Sequence, residues 1–149
     1  MSEPVKTDIN IKASPETVWE TIMDAHKLGD WVTIHRKLNS VDDGPPTAGM
    51  EMKQTLSLRG TKFKVEWELT ECETNQLAVW KGKGPMRSHA RTEYHLSDDG
   101  NGGTDFHYVN EFKAPGGVLG KTASSVLVGG LPKKEAEKSL QQLKRLLEK

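Results

Sequence analysis

The sequence predicts an α+β fold in which a curved antiparallel sheet of seven strands wraps around a long C-terminal helix. Three observations carry that expectation. From about His35 to Lys113 apolar and polar residues alternate with a period of two, the signature of strands with one wet face. On either side of this stretch the period lengthens to that of a helix. The final helix also carries an apolar stripe, and the only large apolar face available to cover it is the inner face of the sheet.

Taken in order, "VKTDINI" alternates Val5, Thr7, Ile9 and Ile11 with charged or polar neighbours and reads as a half-buried first strand. Ser14 is placed to cap a helix, Pro15 takes its first position, and Thr17, Val18, Trp19, Ile22 and Met23 follow at helical spacing. "AHKLGDW" continues as a separate helical piece after Asp24. The second strand begins near His35. "MEMKQTLSL" then sends Met50, Met52, Gln54, Leu56 and Leu58 to one face, and "KFKVEWELTEC" does the same with Phe63, Val65, Trp67 and Leu69. Gly60 in "LRGT" marks a hairpin tip between these two strands. "QLAVWKGKG" supplies the next strand. In it Trp80 is assigned inward, although Val79 competes for that orientation. "SHARTEYHL" and "TDFHYVNEF" form the last pair, joined by the Gly/Asp turn "SDDGNGGTD". From Lys133, Ala136, Leu140, Leu143 and Leu147 recur at three and four residues among lysines, glutamates and glutamines, an amphipathic helix. The apolar segment before it is helix-compatible but interrupted by Gly129, Gly130 and Pro132. The order is therefore β-α-α-β6-α.

At 149 residues the chain reads as a single domain over 1–149, large enough to fold without metal or disulfide. Only 34% of residues are apolar, and no apolar run approaches the roughly 20 residues of a spanning helix, which argues against stable membrane insertion. The first residues, "MSEPVKTDIN", have neither the apolar core of a secretory signal nor the character of a transit peptide, so the expected location is cytoplasmic. The single cysteine, Cys72, excludes an internal disulfide, agrees with a reducing compartment and reads as a quiet structural thiol. Lysine plus arginine equal aspartate plus glutamate at 21 each, so no overall field draws the protein to nucleic acid. No phosphate loop or zinc-type Cys/His spacing occurs, and neither cofactor nor metal is expected.

The element order, "ASPETVWETIMDAHKLGDW" near the N-terminus, "VNEFKAPGG" before the tail and the long final helix together resemble the START-like or polyketide cyclase/dehydrase (SRPBCC) superfamily. This resemblance covers nearly the whole chain and implies the helix-grip or Bet v 1-like fold. It does not imply one chemistry, because that fold hosts lipid carriers, hormone receptors, cyclases and hydroxylase domains. "DWVTIHR" is further similar to an actinobacterial subgroup described as the toxin half of a toxin–antitoxin pair, which would imply a protein partner.

If the sheet curls around the last helix, inward residues line a pocket between them. Strand phase places Thr92, Tyr94, Tyr108, Asn110 and Gln54 inside. Five polar groups on an apolar face are either partnered with one another or await a ligand. Trp67, Trp80 and Trp31 are candidate flat walls, and Met52, Leu56 and Val65, with Leu127 from the tail, complete the expected lining. Trp19 is assigned to the core. Trp31 is expected to plug the rim and His35 to point into the mouth, a histidine without a carboxylate or nucleophile at a readable spacing to make it catalytic. On the outer face, His95 should lie across from His107 with Glu93 and Asp105 as neighbours. A two-histidine metal site is conceivable there, but exposed cross-strand pairs are commonplace. The expected function is non-catalytic binding of a hydrophobic or amphipathic small molecule, lipid or polyketide-like. A cyclase or dehydratase and a toxin component are the alternatives.

Overall fold

The computed structural model describes residues 4–58, 60–113 and 133–148. Strand β1 (Val5–Ile11) is followed by helix α1 (Pro15–Ile22), a 3-10 turn (Ala25–Lys27) and the short helix α2 (Leu28–Trp31). Strands β2 (His35–Val41), β3 (Glu51–Leu58), β4 (Thr61–Glu73), β5 (Leu77–Lys83), β6 (His89–Asp98) and β7 (Thr104–Lys113) come next, and helix α3 (Lys133–Leu147) is last. The seven strands form one antiparallel sheet in the order β1-β7-β6-β5-β4-β3-β2. Strands β2 to β7 thus follow one another as a meander, while β1 returns to pair with the far edge. Among the described residues no helix is long and apolar enough to cross a membrane.

Local chemistry sets these elements. Ser14 Oγ accepts the Thr17 backbone N–H at 3.2 Å with Pro15 at the first helical position, so α1 starts where its otherwise orphaned donor finds an oxygen. The β3–β4 hairpin pairs Leu58 with Thr61, and the turn between them needs a left-handed residue, which Gly60 supplies with φ 80°. At the β6–β7 turn Asp98 and Asp99 turn their carboxylates back onto the backbone N–H groups of Gly100, Asn101 and Gly103.

A β-bulge between Leu69 and Glu71 decides the competition between Val79 and Trp80. It puts Trp80 opposite Leu69 and Thr92 on the inner face and pairs Val79 with Glu71 and Glu93 on the outer one.

Helix α3 buries Ala136, Ser139, Leu140 and Leu143. Each large apolar residue so covered contributes about 1.5–3 kcal/mol. Its N-terminal half is tied to the residues after α2: the Thr33 N–H donates to Ser139 Oγ at 3.0 Å, and the Thr33 hydroxyl to Glu135 Oε1 at 2.7 Å. Its last turn is tied to β1 and the residue after it, with Lys144 Nζ donating to the Asn10 carbonyl and the Lys12 N–H to Glu148 Oε2, both at 2.7 Å. These bonds fix the helix toward the β1 side of the sheet.

Candidate ligand-binding cavity

The inner face of the sheet borders a cavity of about 470 Å³. Such a volume lies within the range of small-molecule pockets, roughly 300–1,000 Å³. Met52, Gln54 and Leu56 of β3, Trp67 of β4 and Trp80 of β5 form one wall, because residues two apart on a strand share a face. Thr92 and Tyr94 of β6 with Tyr108, Asn110 and Phe112 of β7 form the next. Trp19, Ile22 and Met23 cover the cavity from the α1 side. Its mouth is bounded by Asp24 and His26 after α1 and by Asp42, Asp43, Gly44 and Pro46 in the β2–β3 loop. Among the described residues of α3 none lines the cavity.

Two polar constellations interrupt the apolar lining. In the first, Asn110 Nδ2 donates to Thr92 Oγ1 and to Tyr108 Oη, each at 3.1 Å. Asn110 Oδ1 is buried with no hydrogen-bond partner. Tyr94 stacks on Tyr108 with ring centroids 5.9 Å apart. Burial pushes the Tyr94 hydroxyl far up and that of Tyr108 up to about 12, the bond from Asn110 acting in the opposite sense on Tyr108. Both are therefore neutral near pH 7, able to donate a hydrogen bond and unsuited to act as bases.

In the second constellation the Trp67 indole N–H donates to Gln54 Oε1 at 3.0 Å, and Gln54 Nε2 lies 2.9 Å from His35 Nδ1. The indole can only donate, so it fixes the amide with its oxygen toward Trp67 and its nitrogen toward the imidazole. His35 Nδ1 must then accept, which makes the ring neutral with its proton on Nε2. Burial pushes the histidine the same way, below its ordinary value.

Of the residues expected at a ligand, Met52, Gln54, Leu56, Trp67, Trp80, Thr92, Tyr94, Tyr108 and Asn110 line the cavity, whereas Trp31, His35 and Val65 do not. Trp31 is no rim plug. It is 1% exposed and packs on the Tyr94 ring at 6.0 Å, because α2 is pinned beneath α3 by Thr33. His35 does not point into the mouth: its Nδ1 is engaged by Gln54, which stands between it and Trp67. Val65 is fully buried beside Gly82 rather than at the cavity surface. Leu127 and the Gly129–Gly130–Pro132 break lie outside the described residues. Trp19, assigned to the core, proves to be a cavity residue as well. The mouth residues Asp24, His26, Asp42 and Asp43 were missed because a loop has no period to betray which side chains it turns inward.

On the outer face His95 pairs with His107 across the β6–β7 hairpin, their rings 5.6 Å apart. Each already has a carboxylate partner, Glu93 for His95 and Asp8 for His107. Arg91, bonded to Glu93 at 2.6 Å, holds that carboxyl below its usual range. Among the described residues no group of three or more His, Cys, Asp or Glu side chains is disposed to hold a metal ion. Cys72 is half-buried, and burial pushes its thiol up, away from the reactive thiolate.

The family model for polyketide cyclases, dehydrases and lipid transport proteins matches residues 3–148. The chain belongs to this family. Among curated proteins no relative matches. Solved structures with the same fold include protein CV1439 of Chromobacterium violaceum, 16% identical with a TM-score of 0.69 over 98% of this chain and 97% of that one. DR_A0006 of Deinococcus radiodurans is 18% identical with a TM-score of 0.70, covering 97% and 95%. The major latex-like protein 151 of Panax ginseng is 10% identical with a TM-score of 0.66, covering 96% and 93%. This polyketide cyclase/dehydrase family member therefore has the helix-grip, Bet v 1-like architecture that its element order predicted. Neither the family description nor these neighbours bears on the resemblance to a toxin subgroup.

Proposed function

We propose that the protein binds a hydrophobic or amphipathic small molecule, lipid or polyketide-like, in this cavity and performs no chemistry on it. The observation that carries this reading is the cavity of about 470 Å³, apolar on most sides and bearing at Asn110 a buried oxygen with no partner. An unsatisfied buried acceptor costs about 1–3 kcal/mol, and a guest that brought a hydroxyl or N–H to it would remove that cost. The family description, which spans lipid transport as well as catalysis, agrees with a binding role. What weighs against catalysis is the deep end, where among the described residues two neutral tyrosines and a histidine turned to Gln54 offer no base, the carboxylates of Asp24, Asp42 and Asp43 standing at the mouth.

The test is incubation of the protein with a lipid extract, followed by native mass spectrometry and tryptophan fluorescence. A retained adduct with a shifted spectrum supports the reading. Unchanged mass and an unchanged spectrum refute it. One observation favours a second reading. Tyr94 and Tyr108 present two adjacent hydroxyl-bearing rings that a polyketide carbonyl could accept from, as a cyclase would require. Turnover of a polyketide-like substrate that is lost in both Tyr94→Phe and Tyr108→Phe would favour that enzyme over a carrier.

A further inference from the structure

The charges around the cavity are of one sign. Glu20, Asp24, Asp42 and Asp43 all border it, and no lysine or arginine appears among its described lining residues. Glu20, Asp42 and Asp43 are exposed, and none of the four takes part in an ion pair among the described residues. Asp24 caps the 3-10 turn through the His26 N–H, and Asp42 accepts the Glu51 N–H, so both carboxylates are held in place at the mouth. His26 is the one basic side chain among the cavity's described lining residues. This is unexpected in a chain whose formal charge is zero overall.

Among the described residues the deep end is uncharged. Thr92, Tyr94, Tyr108 and Asn110 offer hydroxyl and amide groups only, and the buried, unpartnered Asn110 Oδ1 is an acceptor. Trp19 and Trp67 add aromatic surface along the way, which attracts cations and not anions. Among the described residues an anionic head group would find no lysine or arginine at either end. It would also meet four carboxylates at the opening.

We infer that the guest carries a positively charged head group, a protonated amine or quaternary ammonium, seated among Glu20, Asp24, Asp42 and Asp43 while its apolar body fills the cavity. This rests on the small-molecule reading above and specifies the guest's charge class. Fatty acids and acyl phosphates are then disfavoured ligands.

The test compares dodecyltrimethylammonium, dodecanoate and dodecanol, each below its micelle-forming concentration at pH 8, by titrating the intrinsic tryptophan fluorescence. The expected result is that the cation binds about tenfold or more tightly than the anion at low salt, since each carboxylate near the head group changes the interaction with opposite signs for the two. The gap should shrink as salt is added, and again in the E20Q/D42N/D43N variant. Dodecanoate binding as tightly as the cation, or a gap indifferent to both salt and the variant, overturns the inference. If the variant does not fold, the salt dependence of the native chain decides alone. Binding of dodecanol without head-group preference would remove the charge assignment and leave the small-molecule reading standing. Failure of all three to bind would remove both.

Discussion

Gly82 offers a sharp test of how the cavity wall is built. It sits on β5 directly opposite Trp67, and the indole lies over it. A Cβ added at Gly82 would fall 2.7 Å from Val65 Cγ1 and 2.8 and 2.9 Å from Trp67 Cε3 and Cζ3, all closer than real carbon atoms approach. Its backbone is not in the left-handed region, so Gly82→Ala incurs no dihedral strain, and the reduced freedom of the unfolded chain should by itself stabilise by about 0.4–1 kcal/mol. Against this stands overpacking of a well-filled site, about 1–3 kcal/mol. Neither Val65, with no exposed surface, nor Trp67, bonded to Gln54, can withdraw freely. The net expectation is a loss of roughly 0.5–2 kcal/mol, together with a change in tryptophan fluorescence as the indole is pushed toward the cavity. Urea denaturation of Gly82→Ala in the native and Val65→Ala backgrounds measures it, and the penalty should be smaller where Val65 has been trimmed. A stabilised Gly82→Ala protein would mean that the indole does not cover this glycine and that the wall is described wrongly.

Other outcomes follow from the two polar constellations. Trp67→Phe removes the only donor to Gln54 Oε1 among the described residues and should cost about 1–3 kcal/mol, with much of that recovered in Trp67→Phe/Gln54→Leu; equal losses in both, read by thermal melts, would show that the bond contributes nothing. Asn110→Leu deletes the unsatisfied oxygen, a gain of about 1–3 kcal/mol, but also the two bonds from Nδ2 to Thr92 and Tyr108, a loss of similar size, so calorimetry should find stability nearly unchanged while guest binding weakens at least severalfold. His35 titrates below its unfolded-state value because burial disfavours its charged form, so the unfolded chain binds more protons in that window. Stability should therefore fall as pH drops through about 6.5 and level off once the folded histidine is itself protonated, and this component should be missing from His35→Gln. Identical melting-temperature profiles from pH 8 to 5 in the two proteins would contradict the neutral imidazole bonded to Gln54.

The strands and their faces could be read because alternation is a property of each segment alone. Thr92, Tyr94, Tyr108 and Asn110 came together as their phase required, and the hairpin's symmetry put His95 against His107. What could not be read depended on packing between segments. Helix α2 is one turn long, too short for any period to orient Trp31, whose direction is set by the bonds from Thr33 to α3. The bulge at Leu69 and Glu71, which turns Trp80 inward, leaves no trace in an alternation that Val79 could satisfy equally well. The side on which α3 docks is fixed by Lys144 and Glu148 reaching Asn10 and Lys12, polar contacts between chain ends that an apolar stripe does not specify.

The return of β1 to the far edge of the sheet bears on how the molecule is assembled. Strands β2 to β7 zip together through neighbours in the chain, whereas β1 must wait for a partner at the opposite end of the sequence and brings with it the anchor points of α3. Long-range closures of this kind are entropically slow, so the hollow is completed late in folding. A hydrophobic guest present during refolding would meet an unfinished bowl before the grip has shut.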